Sequence, residues 1–356
     1  MNNIFDNVRS EHILSILNYI LEHSPDSRVR IADATGLSFV TVGKVCDTLV
    51  DINILKQATT RDSRARRKTR LLYAKPFYWL GIYTIAKDRF RFNIFDLSLK
   101  CVRTYTYIPE DSVFADSQLC DFFRSASEFA IFHKFKSDRC IATAVMVPGE
   151  YSAYRDRATC DFFPHLDSIR LKETLREYSF GTEPSVVTES SVSISAIRNE
   201  LSDGQNVFAL FLNKGCIQGA YITPDTLPHS SLADTGLIKG RDNLTLNTVS
   251  RITPDPDKFF ESLSDVIFTL SNTVPLSKII VCGNIYSDIN CCATVLHDAL
   301  FDKYSSFGLI PPDVLPYDPN KISEKAISRE IRNRWFCREI LKEDSPRLLT
   351  NSLNLL

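Results

Sequence analysis

The chain has 356 residues, 44% of them apolar and 24% charged, with 12 glycines, 16 prolines and a formal net charge of −1. These proportions exclude a disordered, collagenous or disulfide-scaffold protein and leave an ordinary globular chain long enough for two or three domains. The near-neutral balance also excludes a whole-protein electrostatic grip on nucleic acid, so any such contact has to come from a locally basic segment.

The first six residues lack the basic, apolar and small-residue order of a signal peptide. No run of about 18 apolar residues occurs that could span a bilayer, so no membrane contact and a cytoplasmic location are expected. Ten cysteines without framework spacing read as reduced thiols, and the adjacent Cys291 and Cys292 are not a CxxC pair. No Cys/His cluster has zinc spacing, so neither a metal nor a cofactor is expected.

Residues 9–22 carry Ile13, Ile16, Leu17, Ile20 and Leu21 at helical spacing, closed by Ser24, Pro25 and Asp26. Residues 31–38 (IADATGLS) spell a short helix ending near Gly36, then Ser38 as the cap of the next. From Phe39 this second helix gathers Val42, Val45, Cys46, Leu49 and Ile52 on one face and offers Thr41, Lys44, Asp47 and Thr48 on the other. Residues 54–57 and 71–73 read as strands around a basic loop, where Arg61, Arg64, Arg66, Arg67, Lys68 and Arg70 stand against Asp62 alone. Helix, turn, helix and basic hairpin in this order predict a winged helix-turn-helix with a duplex DNA operator as partner. Ser38, Phe39, Thr41 and Lys44 would then face the major groove, and Arg64, Arg66, Arg67 and Lys68 the backbone. Two-fold operator geometry calls for an even-numbered assembly, a homodimer or homotetramer.

Beyond Lys75 and Pro76, which disfavour helix and open a new sheet, residues 79–85 and 90–96 read as a hairpin, followed by a strand at 101–108. A helix at 117–134 and a buried strand at 140–147 lead to Pro148 and Gly149. Helices at 169–178 and 191–201 enclose a short strand at 186–187. A second hairpin, 207–212 with 216–222, echoes the first, and then come a helix at 259–270, a strand at 278–283, a helix at 289–304, a short strand from Val314 and a last helix at 322–342. Two hairpin-led halves predict a duplicated, two-lobed α/β body behind an all-α/winged-helix head. The expected division is 1–76 for the head, 77–187 together with 322–356 for the first lobe, and 188–321 for the second. Phe77, Tyr78 and Trp79 are expected to pack head against body.

On these residues the chain resembles the ROK family (repressors, open reading frames and sugar kinases), over nearly its whole length. Residues 31–38 with Thr41 and Val42 look like that family's repressor helix-turn-helix, and residues 144–149 (AVMVPG) like the segment before its sugar site. The resemblance implies an actin-like ATPase fold for the body. It also locates losses. Gly81 and Ile82 are followed by Tyr83 where the family's phosphate loop has Asp, and Ile85 and Ala86 occupy glycine positions. Residues 188–196 (TESSVSISA) stand where kinases read Glu-Asn-Asp-Ala-Asn, so Ser191 falls on the catalytic Asp and Ser190 and Ser193 on the two Asn. Leu237 and Gly240 replace the sugar-binding Glu and the His, and residues 241–253 contain no Cys for the zinc motif. A serine of ordinary pKa cannot take a sugar proton as a carboxylate can.

The resemblance therefore implies a DNA-binding transcriptional regulator, a repressor, with a non-catalytic effector and dimerisation body. The alternative is a divergent sugar kinase that kept its head. A third reading has the body as a protein-interaction platform. For the regulator, Glu189, Ser190, Ser191, Ser193, His165 and Gln218 would line the emptied cleft and bind a sugar or another small metabolite.

Overall fold

The computed structural model describes residues 3–342 apart from 52–53, 62–67, 75–77, 87–88, 110–115, 161–162, 164, 202–205, 214–215, 224–231, 234–237, 239–243, 253–254, 272–275, 284, 286–288 and 318–323. The chain begins with α1 (Asn3–His23), which buries Ile13, Ile16, Leu17 and Ile20, the stripe that three-and-four spacing gives one helix face. A two-residue strand, β1 (Asp26–Ser27), follows, and the Tyr19 hydroxyl of α1 donates to Asp26 at 2.9 Å. Ser27 caps α2 (Arg28–Thr35) by accepting from the Arg30 amide. Gly36 ends α2 at φ 68°, a left-handed conformation that costs glycine little. Next come α3 (Phe39–Asp51), β2 (Leu55–Arg61) and β3 (Lys68–Ala74), the last two antiparallel and in register from Leu55 opposite Ala74 to Arg61 opposite Lys68. With β1 on β3, the small sheet runs β1-β3-β2. Helix, strand, two helices and a two-stranded wing make this a winged helix.

The first large sheet contains β4 (Trp79–Ile85), β5 (Phe90–Asp96), β6 (Cys101–Tyr107), β7 (Cys140–Val147) and, after an excursion, β10 (Ser185–Thr188). Its order is β10-β7-β4-β5-β6, with the first three strands in sequence antiparallel and the last two parallel. Helix α4 (Asp116–Phe132) crosses from β6 to β7. The excursion holds a hairpin, β8 (Glu150–Ser152) and β9 (Arg157–Thr159), and the short α5 (Leu171–Arg176). Helix α6 (Glu189–Glu200) leads to the second large sheet, built from β11 (Val207–Asn213), β12 (Cys216–Ile222), β13 (Leu232–Ala233), β14 (Lys278–Cys282) and β15 (Asp313–Pro316). Its order, β13-β12-β11-β14-β15, repeats the pattern of the first sheet strand for strand. Helices α7 (Leu246–Ile252), α8 (Pro256–Ser271) and α9 (Ile289–Ser306) accompany it, and α10 (Glu324–Lys342) returns to the first sheet.

The two faces of β4 explain how head and body join. Leu80 and Ile82 share one apolar cluster with Ile16, Leu17, Val42 and Leu49 of the head and with Ile327, Ile331 and Phe336 of α10. Tyr83 and Ile85 point to the other face, among Phe92, Phe122 and Phe123. A strand buried on both faces shows no polar alternation, so sequence pattern alone does not tell which face meets what. This corrects the expectation for Trp79: it lies in the second cluster against Phe135 and Phe180, its indole donating to the Lys136 carbonyl at 2.9 Å. Tyr78 does pack at the junction, its ring 6.2 Å from that of Trp335. Phe77 lies outside the described residues.

Candidate nucleic-acid interface and interlobe site

The outer face of α3 is built by its first turn. Ser38 sits ahead of the helix; its hydroxyl accepts from the Thr41 amide at 3.1 Å and shares a hydrogen bond with the Thr41 hydroxyl at 2.9 Å. Val42, Cys46 and Leu49 turn into the head core, and burial pushes the Cys46 thiol up to about 12, so it stays protonated and acts as packing. Ser38, Phe39, Val40 and Lys44 face solvent. Asp47, on the same side, is held by Arg28 of α2 through bonds of 2.5 and 3.3 Å, which tie α2 to α3. In the wing, Lys68 stands opposite Arg61 in the backbone register. Arg64, Arg66 and Arg67 lie outside the described residues.

The second group sits where α6 meets β12. Thr188 caps α6 reciprocally with Ser191: the Ser191 amide donates to the Thr188 hydroxyl at 3.3 Å, and the Thr188 amide donates to the Ser191 hydroxyl at 3.1 Å. The Ser191 hydroxyl proton goes to the Thr188 carbonyl at 2.9 Å, so this side chain is consumed by the cap. Ser193 turns its hydroxyl back to the Glu189 carbonyl at 2.8 Å. Ser190 alone reaches across, donating to Gln218 Oε1 at 3.0 Å, while Gln218 Nε2 donates to Glu150 at 3.4 Å. Glu189 stands at the head of α6, and burial pushes its carboxyl above the usual carboxylate range. The structure thus brings Ser190 and Gln218 together, with Glu189, Ser191 and Ser193 on the same helix. It does not bring in His165, which is exposed and whose carbonyl accepts from Ser168 at 2.7 Å.

Sequence reading missed Glu150. Its signal was its place directly after Gly149, which has φ 77°. Of the positions aligned with kinase groups, Tyr83 is fully buried and donates its hydroxyl to the Tyr178 carbonyl at 3.0 Å. Leu237 and Gly240 lie outside the described residues.

A further set of contacts runs along α10. Ser195 of α6 donates to Glu330 at 2.9 Å, and Glu330 pairs with Arg334. Two residues on from Glu330, Arg332 is 3% exposed, donating to the Leu97 carbonyl at 2.7 Å and to Asn18 Oδ1 of α1 at 2.5 Å. Burial lowers its pKa to about 10. Among the described residues no cluster of His, Cys, Asp and Glu suited to a metal is present, and no helix is long and apolar enough to cross a membrane.

This architecture, two repeated five-stranded sheets behind a winged helix, is the two-lobed ROK/actin-like ATPase fold with an amino-terminal head. The chain is similar to a ROK family transcriptional regulator, a homologue of the E. coli MLC protein, with a TM-score of 0.65 and 12% identity over 94% of this chain and 99% of that one. It also matches a ROK family protein from Streptococcus pneumoniae TIGR4 in complex with sucrose, with a TM-score of 0.46 and 13% identity over 74% and 98% of the two chains. A ROK hexokinase from Thermus thermophilus gives a TM-score of 0.48 and 10% identity over 74% and 99%. No family model matches the sequence, and no curated protein does.

Proposed function

We propose that the chain is a DNA-binding transcriptional regulator, a repressor, whose two-lobed body serves as effector and dimerisation module. One observation carries this reading: the exposed first turn of α3 belongs to a winged helix that shares its apolar core with the body. A head packed into the body in this way moves with it. The similarity to a ROK regulator over 94% of the chain supports the same reading. In it, residues 1–76 form the DNA-binding domain, 77–187 with 322–356 the first lobe and 188–321 the second. The working unit is a cytoplasmic homodimer, or a dimer of dimers, on a two-fold operator. Ser38, Phe39, Thr41 and Lys44 enter the major groove, and Arg64, Arg66, Arg67 and Lys68 meet phosphates. Replacing Arg66 and Arg67 by Ala is expected to weaken duplex binding and to lower the slope of log affinity against log salt by about 1.8, two phosphate contacts at ~0.9 each. Anisotropy titrations over a salt series check this; an unchanged slope removes the wing from the mechanism.

The body is read as non-catalytic. Tyr83 is spent in the core and Ser191 in a helix cap, so neither supplies the carboxylate that phosphoryl transfer to a sugar requires. The purified protein is expected to form no ATP-dependent product on a panel of hexoses and amino sugars. Product formation abolished by Ser191→Ala would restore the kinase reading. The effector would be a sugar or similar small metabolite bound between Glu189, Ser190 and Gln218, displacing the hydrogen bond from Ser190 to Gln218. It regulates only by binding one lobe arrangement more tightly than the other.

A further inference from the structure

The first turn of α3 spends two large apolar side chains on solvent. Phe39 is 56% exposed and Val40 66%, although Val42, Cys46 and Leu49 of the same helix are fully buried. Neither side chain contributes to the head core, so the fold does not require them there. Their surroundings are polar and cationic: the Ser38 and Thr41 hydroxyls on one side, Lys44 one turn on. The nearby acid, Asp47, is already paired with Arg28. An apolar pair beside two hydroxyls and a lysine matches one surface in particular. In the major groove the only apolar group that a base pair presents is the 5-methyl of thymine, flanked by hydrogen-bonding edges and then by phosphates.

We propose that Phe39 and Val40 determine sequence specificity by packing on thymine methyl groups in each operator half-site; this inference rests on the reading of the head as a DNA-binding domain. Neither side chain can donate or accept a hydrogen bond, so discrimination at the base pairs they cover depends on the methyl. The two hydroxyls divide the remaining work. Ser38 and Thr41 carry two protons and use one between themselves, which leaves one to donate to a base edge or a phosphate. Lys44, a single flexible cation, positions without specifying.

The test selects bound duplexes from a randomised library with the full-length protein, then rebuilds the selected site with deoxyuridine in place of thymidine, which removes only the methyl groups. Affinity for the rebuilt site is expected to drop about fourfold for each methyl that Phe39 or Val40 covers, with unaltered affinity for random duplex. The double variant Phe39→Ser, Val40→Ser should bind the thymine and uracil forms equally, each single variant losing only its own share of the discrimination, while melting like the parent chain, since both side chains lie outside the core. Unchanged affinity for the uracil form overturns the inference and leaves the DNA-binding reading standing. So does a change in oligomer mass in Phe39→Ser without loss of discrimination, which would make the pair a contact with a second copy. Failure to bind any duplex, even at low salt, overturns both.

Discussion

Exchange of Arg332 for Ala is expected to loosen the head from the body and to destabilise the chain by roughly 2–4 kcal/mol. Arg332 is the polar strut between three elements: its guanidinium, on α10, serves the Leu97 carbonyl beside the first sheet and Asn18 on α1. Each acceptor left buried without a donor costs about 1–3 kcal/mol. Removing a buried cation returns part of that, because burial disfavours its charge. Met, which keeps the length of the stem, should therefore be milder than Ala. Lys should not rescue, since one ammonium lacks the fork that spans two acceptors on different elements. Hydrogen exchange separates a local from a global effect: amides of α1 should lose protection while those of β11 and β14 keep theirs. Unchanged α1 protection in Arg332→Ala would sink the idea of a strut.

The pH dependence of this group has a definite sign. Its folded pKa is lowered to about 10 by burial, so the protonated form is penalised throughout the lower range and the penalty lifts only as pH rises through that value. Between pH 5 and 8 its contribution is flat. The strut is thus sensitive to geometry and not to pH over that range. Ser195 links α6 to α10 only two residues from Arg332 through Glu330, and Ser190 links α6 to Gln218. These hydrogen bonds and those of Arg332 connect β12, α6, α10 and α1.

What was legible in the sequence follows from range. The head could be read because its signals are local: Gly36 for a left-handed helix end, Ser38 for a cap, and Val42, Cys46 and Leu49 at helical spacing. The repeated hairpins of the body were visible for the same reason. The two-residue β1 carries too few residues for a pattern, and it exists because Leu71 and Leu72 offer it a partner. Trp79 packs away from the head, against the expectation, and sequence pattern does not reveal this because both faces of β4 are buried. The Ser191 hydroxyl closes a cap with Thr188 three residues back, a local role that a reading of Ser191 by its place in the family pattern does not reveal. The contacts that tie the site together, Gln218 to Glu150 and Ser195 to Glu330, join residues 68 and 135 positions apart, and no local pattern marks such pairs.

Gly149→Ala is expected to be severely destabilising, costing about 4 kcal/mol or more. At φ 77° any L side chain is strained, and that alone costs about 1–2 kcal/mol. Space decides the rest. A β-carbon on Gly149 would stand 2.1 Å from the carbonyl oxygen of Thr159 and 3.2 Å from the α-carbon of Cys160, and backbone cannot swing aside as a side chain can. To admit it, β8 and β9 must part at the pair Glu150 and Thr159. Glu150 then leaves Gln218, and the interlobe hydrogen bonds open from one end. Gly181 provides the control, with a similar φ of 81° and nothing within 4 Å of an added β-carbon. Gly181→Ala should therefore show the backbone strain alone. Urea denaturation of the two variants beside the parent measures the difference: about 2–3 kcal/mol should separate Gly149→Ala from Gly181→Ala. Equal losses would mean that the loop yields freely, and that Glu150 is not held by the hairpin.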